Sequence, residues 1–366
     1  MGQTKERSWT YPVVVFLFLF CLAGIDPAWS AEPSSSVAAA LGLFKQGQTQ
    51  EAISHLKKWI HKNPSDLEAR HALAEIYLAS KDFRNAKETY LDLIDKNPED
   101  ARAYHNLGLL DLKEQRPEEA VRNLVAAVAI NPNLREGYFN LGELALVSDR
   151  LDRALEFFQK ADALSKKAEP ARHSWVHERL GAVYAKKGEP EQAAKQFKIA
   201  LKIDPKNIRA EQNLGFLYLA ARKAKEAEGE FQNVLRIQPE NSSAHYGLGV
   251  ALRELKQNEK ALPEFQKAIE LNPQWIDPYL QAAALLRAEK RGEEALERYR
   301  KTLPLYEKFL KSNPDHSATR LQYAKVLIHT GAMGEAKKQL KKVLKKEKEE
   351  SPLAQEAKFL TDRAKQ

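Results

Sequence analysis

Residues able to do chemistry are few in this chain, and their spacing does not suit catalysis. His177-Glu178 begins the H-E-x-x-H pattern that sets two imidazoles on one helix face around zinc, but residue 181, where the second histidine would fall, is glycine. Neither a G-x-S-x-G nucleophile turn nor a G-x-x-x-x-G-K-S/T phosphate loop occurs. The nine histidines are scattered, and His71 and His105 are spaced to stack along one face instead of pairing on one helix. Cys21 is the only cysteine and lies in the N-terminal segment. The rest of the chain therefore has no disulfide, thiol nucleophile or cysteine-metal site. We expect no catalytic residue, no metal site and no cofactor.

The elements that hold these residues follow a ruler of 34 residues. Pro98 and Pro132, and again Pro205, Pro239 and Pro273, stand at that interval. With the proline numbered 32 in each repeat, Gly108, Gly142, Gly181, Gly215 and Gly249 fall on position 8. Ala86, Ala120, Ala154, Ala193, Ala227 and Ala261 fall on position 20, and Tyr90, Phe158, Phe197, Phe231 and Phe265 on position 24. Leucine recurs at position 7 and, with positions 4, 8 and 11, forms an i, i+3, i+4, i+7 stripe, which predicts a first helix with one apolar face. Positions 20, 24 and 27 predict a second, antiparallel helix closed by the proline. Small residues at 8 and 20 allow close approach of the two helices. Gly47, Gly188 and Gly331 at position 15 suit a left-handed turn between them.

This pattern resembles the tetratricopeptide repeat (TPR) family, whose W-x2-L-G-x2-Y, A-x3-F and P signature has the same period. Leu180, Gly181, Tyr184, Ala193, Phe197, Ala200 and Pro205 follow it closely, whereas Asp111 and Leu124 depart from it. The resemblance implies an all-α, right-handed superhelical solenoid of about nine helix-turn-helix units with a C-terminal capping helix. The repeats lie near 33–66, 67–100, 101–134, 135–168, 174–207, 208–241, 242–275, 276–316 and 317–350, so a solenoid spans 31–350 and the capping helix and tail span 351–366. Two insertions interrupt the ruler. Five residues, 169–173, either prolong the preceding second helix or form a bulging loop. Seven more lengthen the repeat at 276–316, where Pro304 predicts a kink or break near Thr302.

In the family the inner wall of the superhelix, lined by the first helices, binds polypeptide partners. Carried onto this sequence, the resemblance implies a groove formed by His71, Arg102, His105, Asn106, Phe139, Asn140, Trp175, Arg179, Arg209, Gln212, Asn213 and Tyr246. Amide side chains both donate and accept, so Asn106, Asn140 and Asn213 suit an extended peptide backbone. The carboxylate clamp of heat-shock cochaperones is not assembled in any three consecutive repeats. The expected role is a non-catalytic scaffold or adaptor for a protein or peptide partner, for example in envelope assembly, secretion or polysaccharide export.

Net charge is +8 over 366 residues, with 43% hydrophobic and 30% charged residues. Lysine and arginine alternate with glutamate along the second helices, as on solvated faces, so nucleic acid is not an expected partner. The exception is Lys337, Lys338, Lys341, Lys342, Lys345 and Lys346, which suit a helix C-terminus or an anionic lipid or polymer surface. A glycan- or anionic-lipid-binding module is the alternative reading.

Residues 1–30 lie off the ruler. Lys5 and Arg7 precede an apolar run from Val13 to Ile25, and small residues Ala28 and Ser30 precede Ala31. This reads as a secretory signal peptide cleaved after Ser30, placing the chain in the periplasm if the source is a Gram-negative bacterium. An uncleaved membrane anchor is the alternative.

Overall fold

The computed structural model describes residues 34–165 and 170–363. The predicted signal segment lies outside them. All regular structure among the described residues is helical, in nineteen helices. The first unit of the chain contains α1 (Ser35–Lys45), α2 (Thr49–Lys62), α3 (Leu67–Ala79), α4 (Phe83–Lys96), α5 (Ala101–Lys113), α6 (Pro117–Ile130), α7 (Arg135–Val147), α8 (Leu151–Ala163) and α9 (Pro170–Lys187). The division into two compact units, between Gln196 and Phe197, falls inside α10 (Pro190–Ile203). The second unit continues with α11 (Ile208–Ala220), α12 (Ala224–Ile237), α13 (Ser242–Glu254), α14 (Asn258–Leu271), α15 (Ile276–Ala288), α16 (Gly292–Ser312), α17 (Ser317–His329), α18 (Met333–Lys346) and α19 (Pro352–Arg363). Consecutive helices pack on one another from α1 to α9 and from α11 to α19. No described helix is long and apolar enough to cross a membrane.

Chain chemistry explains the helix ends. Asp66, Asp100, Asn207 and Asn241 each accept the backbone N–H three residues on, at 2.9–3.0 Å, satisfying an otherwise orphaned donor at the start of α3, α5, α11 and α13. The position-32 prolines stand in the tight link between the end of a second helix and these caps, where a missing N–H costs nothing. Position 15 is left-handed in every repeat. Besides Gly47, Gly188 and Gly331, the residues Lys81, Gln115, Asp149, Arg222, Lys256 and Lys290 have φ between 55° and 62°.

The core repeats with the ruler. Tyr90, Phe158, Phe197, Phe231 and Phe265 are buried at position 24, each side chain of this size contributing about 1.5–3 kcal/mol of transfer free energy. Position 8 accommodates that ring. A Cβ built on Gly142 would lie 2.7 Å from Phe158 Cε1, and one on Gly249 2.7 Å from Phe265 Cε1. Where Leu124 replaces the aromatic, Gly108 faces it at 2.9 Å from Cγ. Helix α19 caps the second unit by setting Leu353, Ala357 and Leu360 against Leu321, Leu340 and Val343.

Both insertions resolve differently from the expectation. Of the extra residues before the fifth repeat, 170–173 add a turn to the start of α9, the following first helix, which has 18 residues against 13 in α3. Pro170, at the first helical position, starts that turn without losing a hydrogen bond. Helix α16 runs unbroken through Pro304 for 21 residues. Its buried stripe, Ala295, Tyr299, Thr302, Tyr306 and Leu310, passes the proline without changing face. The buried Thr302 hydroxyl donates to the Tyr299 carbonyl at 2.8 Å.

Candidate functional site

Polar side chains of successive first helices meet across the repeats of the first unit. From α3 to α5, Arg102 pairs with Glu75 and lies 4.0 Å from Glu68. From α5 to α7, His105 Nε2 and Asn140 Nδ2 are 3.0 Å apart. From α7 to α9, Arg179 Nε lies 2.9 Å from Glu143, and Arg172 3.4 Å from Glu136. The second unit has corresponding links, from Arg253 on α13 to Gln281 on α15 and from Arg287 on α15 to His329 on α17. Each pair joins side chains of successive repeats and restrains both. Arg102 and Arg179 present half-buried guanidiniums already matched by carboxylates. Burial lowers the His105 pKa, against a weaker opposing effect from Glu136, so this imidazole is neutral at pH 7.

Two of the residues expected on the groove belong to the core. His71 is 5% exposed, with Nε2 2.8 Å from Asp100, the same carboxylate that caps α5. Phe139 is 7% exposed and meets Phe158 edge-on at 5.5 Å. Glu178, at the same position 5, is also buried, whereas His105, Gln212 and Tyr246 there are half-buried. Asn106 is half-buried on α5 beside His105. Trp175 packs against the core around Phe158 and Val176. Arg209, Gln212 and Asn213 are half-buried on α11, in the second unit. Tyr246 on α13 lies 4.6 Å from the Trp275 ring.

Of the lysine run on α18, Lys337, Lys338, Lys341, Lys342, Lys345 and Lys346 are all exposed. Lys338 pairs with Glu335 at 3.2 Å, and Lys346 with Asp315 at 3.0 Å. Lys337 and Lys341 line a shallow cleft with Leu344 and Thr361.

One cluster was missed by the sequence reading. Asp162, in the last turn of α8, meets His173 and His177 on α9. Its Oδ1 is 2.9 Å from His173 Nε2 and 3.2 Å from His177 Nε2, and the two Nε2 atoms are 3.2 Å apart. Hydrogen bonding to His177, outweighing burial, lowers the Asp162 pKa; for His177, burial works downward but Asp162 and Gln196 together raise it. The available signal was the i, i+4 spacing of His173 and His177; His177 is in register on α9, and the added turn sets His173 beside it and Asp162.

Models of the tetratricopeptide repeat match residues 43–108 and 286–358, 105–169 and 213–274, and 174–207. No significant match was found among curated proteins. Among solved structures, the chain is similar to the APC/C hetero-tetramer Cut9–Hcn1, with TM-score 0.55 and 17% identity over 81% of this chain and 57% of that one. It is also similar to pilF of Pseudomonas aeruginosa, with TM-score 0.53 and 18% identity over 63% of this chain and 99% of that one. At these identities the likeness is one of fold. The repeat signature, the antiparallel helix pairs and the matching family models agree, and the chain belongs to the tetratricopeptide repeat family.

Proposed function

We propose that this chain is a non-catalytic, exported scaffold that binds an extended polypeptide along the polar face of its first helices. The observation that carries the reading is the chain of inter-repeat contacts Glu75–Arg102, His105–Asn140 and Glu143–Arg179. It presents neutralised, held side chains with amides among them, and such a surface recognises a peptide backbone with little dependence on its sequence. Tetratricopeptide repeats are protein-interaction modules in general. Export, and a place in envelope assembly, secretion or polysaccharide export, rest on the basic and apolar segment before Ala31.

A pull-down from the envelope fraction tests both parts, using the exported chain and a variant carrying Asn106→Ala, Asn140→Ala and Asn213→Ala. A protein captured by the wild type and lost with the variant is the expected result, and the mass of the exported chain should begin at Ala31. Capture unaffected by the variant overturns the first-helix assignment, and a mass that includes Met1 overturns cleavage. The exposed lysine face of α18 favours a second reading, an anionic lipid or glycan contact, which would weaken steeply with salt as amide contacts do not.

A further inference from the structure

Asp162, His173 and His177 form a donor set for a metal ion. Their three ligand atoms are separated by 2.9, 3.2 and 3.2 Å. A tetrahedral zinc site with bonds of about 2.0–2.2 Å separates neighbouring ligand atoms by roughly 3.3–3.5 Å, so the triangle matches one face of such a site after shifts of a few tenths of an ångström. An ion about 2.05 Å from all three atoms would sit roughly 1 Å out of their plane. The imidazole planes are tilted by 44°, with ring centroids 4.9 Å apart, as for two rings converging edge-first on a point.

The tautomer is also set. His177 Nδ1 lies 2.7 Å from Gln196 Oε1, which only accepts, so Nδ1 carries a hydrogen and in the neutral ring the Nε2 lone pair faces Asp162 and His173. A cation among the three atoms would be held by one carboxylate oxygen and two imidazole nitrogens at once. Binding a divalent ion takes the lone pair of each Nε2, so any hydrogen on His173 Nε2 is displaced and His173 keeps its proton on Nδ1. Side-chain exposures of 10% for His177, 24% for His173 and 35% for Asp162 leave a path for the ion to enter.

We propose that Asp162, His173 and His177 bind a first-row divalent transition ion of the zinc class, with Gln196 as the positioning residue and a fourth position open to water. Imidazole with one carboxylate suits zinc, nickel or copper in preference to magnesium or calcium. The ion would tie the end of α8 to the inserted turn of α9, giving that turn a role the 34-residue period does not provide.

The test is calorimetric titration of the purified, tag-free chain with Zn²⁺, together with the visible spectrum of its Co²⁺ form, for the wild type, His173→Ala, Asp162→Asn and Gln196→Ala. His173 is the most informative position because its partial exposure lets the variant fold, which an unchanged circular dichroism spectrum and thermal midpoint in chelator would verify. Expected results are one saturable site per chain, intense d–d bands of a four- or five-coordinate ion, loss of both in His173→Ala and Asp162→Asn, and affinity about 10–100-fold weaker in Gln196→Ala. Absence of saturable binding to the wild type, or binding by His173→Ala equal to the wild type, would reduce the cluster to a His–Asp ion pair and overturn the proposal.

Discussion

Four glycines of the second unit should respond to alanine with opposite signs, although all sit inside helices. Gly229, in α12, has nothing within 4 Å of the Cβ that would be added. Alanine there recovers helix propensity and should stabilise by about 0.5–1 kcal/mol. At Gly247, in α13, the new Cβ would lie 2.3 Å from Phe231 Cζ, more than an ångström inside the usual carbon–carbon separation of about 3.5–4.0 Å. Phe231 cannot swing aside easily: its ring is fully buried, is contacted edge-on by Phe216 at 4.9 Å, and faces Gly215 as well. Overpacking of this kind costs about 1–3 kcal/mol and exceeds the propensity gain, so Gly247→Ala should be destabilising by about 1–2 kcal/mol. The Gly249 approach, 2.7 Å from Phe265, and that of Gly215, 2.9 Å from Phe231, place these two between the extremes. Urea unfolding followed by circular dichroism would give the order Gly229, Gly215, Gly249, Gly247 from most to least stable. All four sites lie in one unit, so they share the neighbour couplings of a repeat array. Equal effects at Gly229 and Gly247, or a stabilised Gly247→Ala, would refute the ring-in-notch packing.

Other predictions follow from the electrostatics and the turns. Burial, reinforced by Glu211 and partly offset by Lys198, raises the Glu230 pKa from 4.5 to about 7. Between those values the folded state holds a proton that the unfolded state has lost, so this contribution is full below the ordinary carboxylate pKa and fades as pH rises through 7. Glu230→Gln should therefore leave stability at pH 4 nearly unchanged and raise it at pH 8, by on the order of 1 kcal/mol for a half-buried group; equal urea midpoint shifts at both pH values would contradict this. Lys256→Gly and Lys290→Gly, at φ of 61° and 62°, should each stabilise by about 0.5–1 kcal/mol by relieving left-handed strain. Gly331→Ala, at φ 80°, should destabilise by about 1 kcal/mol, and thermal midpoints moving the other way would contradict the turn geometry.

Much of the fold was legible because helix faces are set by local spacing. Leu180, Ala193 and Phe197 could be assigned to the core from register alone, since a 3.6-residue period fixes which side chains share a face. Position 15 was legible only where it is glycine; Lys81, Gln115 and Asp149 adopt the same φ because the helix pairs on either side demand it, whatever the side chain prefers. The candidate interaction face was readable as a set of positions, but not the burial of His71 and Phe139, which depends on how closely the next repeat packs.

The sequence by itself determined the repeat length, the helix pairs and the apolar stripes, because each is a short-range pattern written again in every unit. Tertiary structure alone decided which polar residues meet. Arg102 finds Glu75 and His105 finds Asn140 only when first helices of successive repeats are stacked, and Asp162 finds His173 and His177 only when α9 packs on α8. The inserted residues at 170–173 break the period, so no register argument reaches them. Packing of α9 against α8 places their side chains, and with them the donor set.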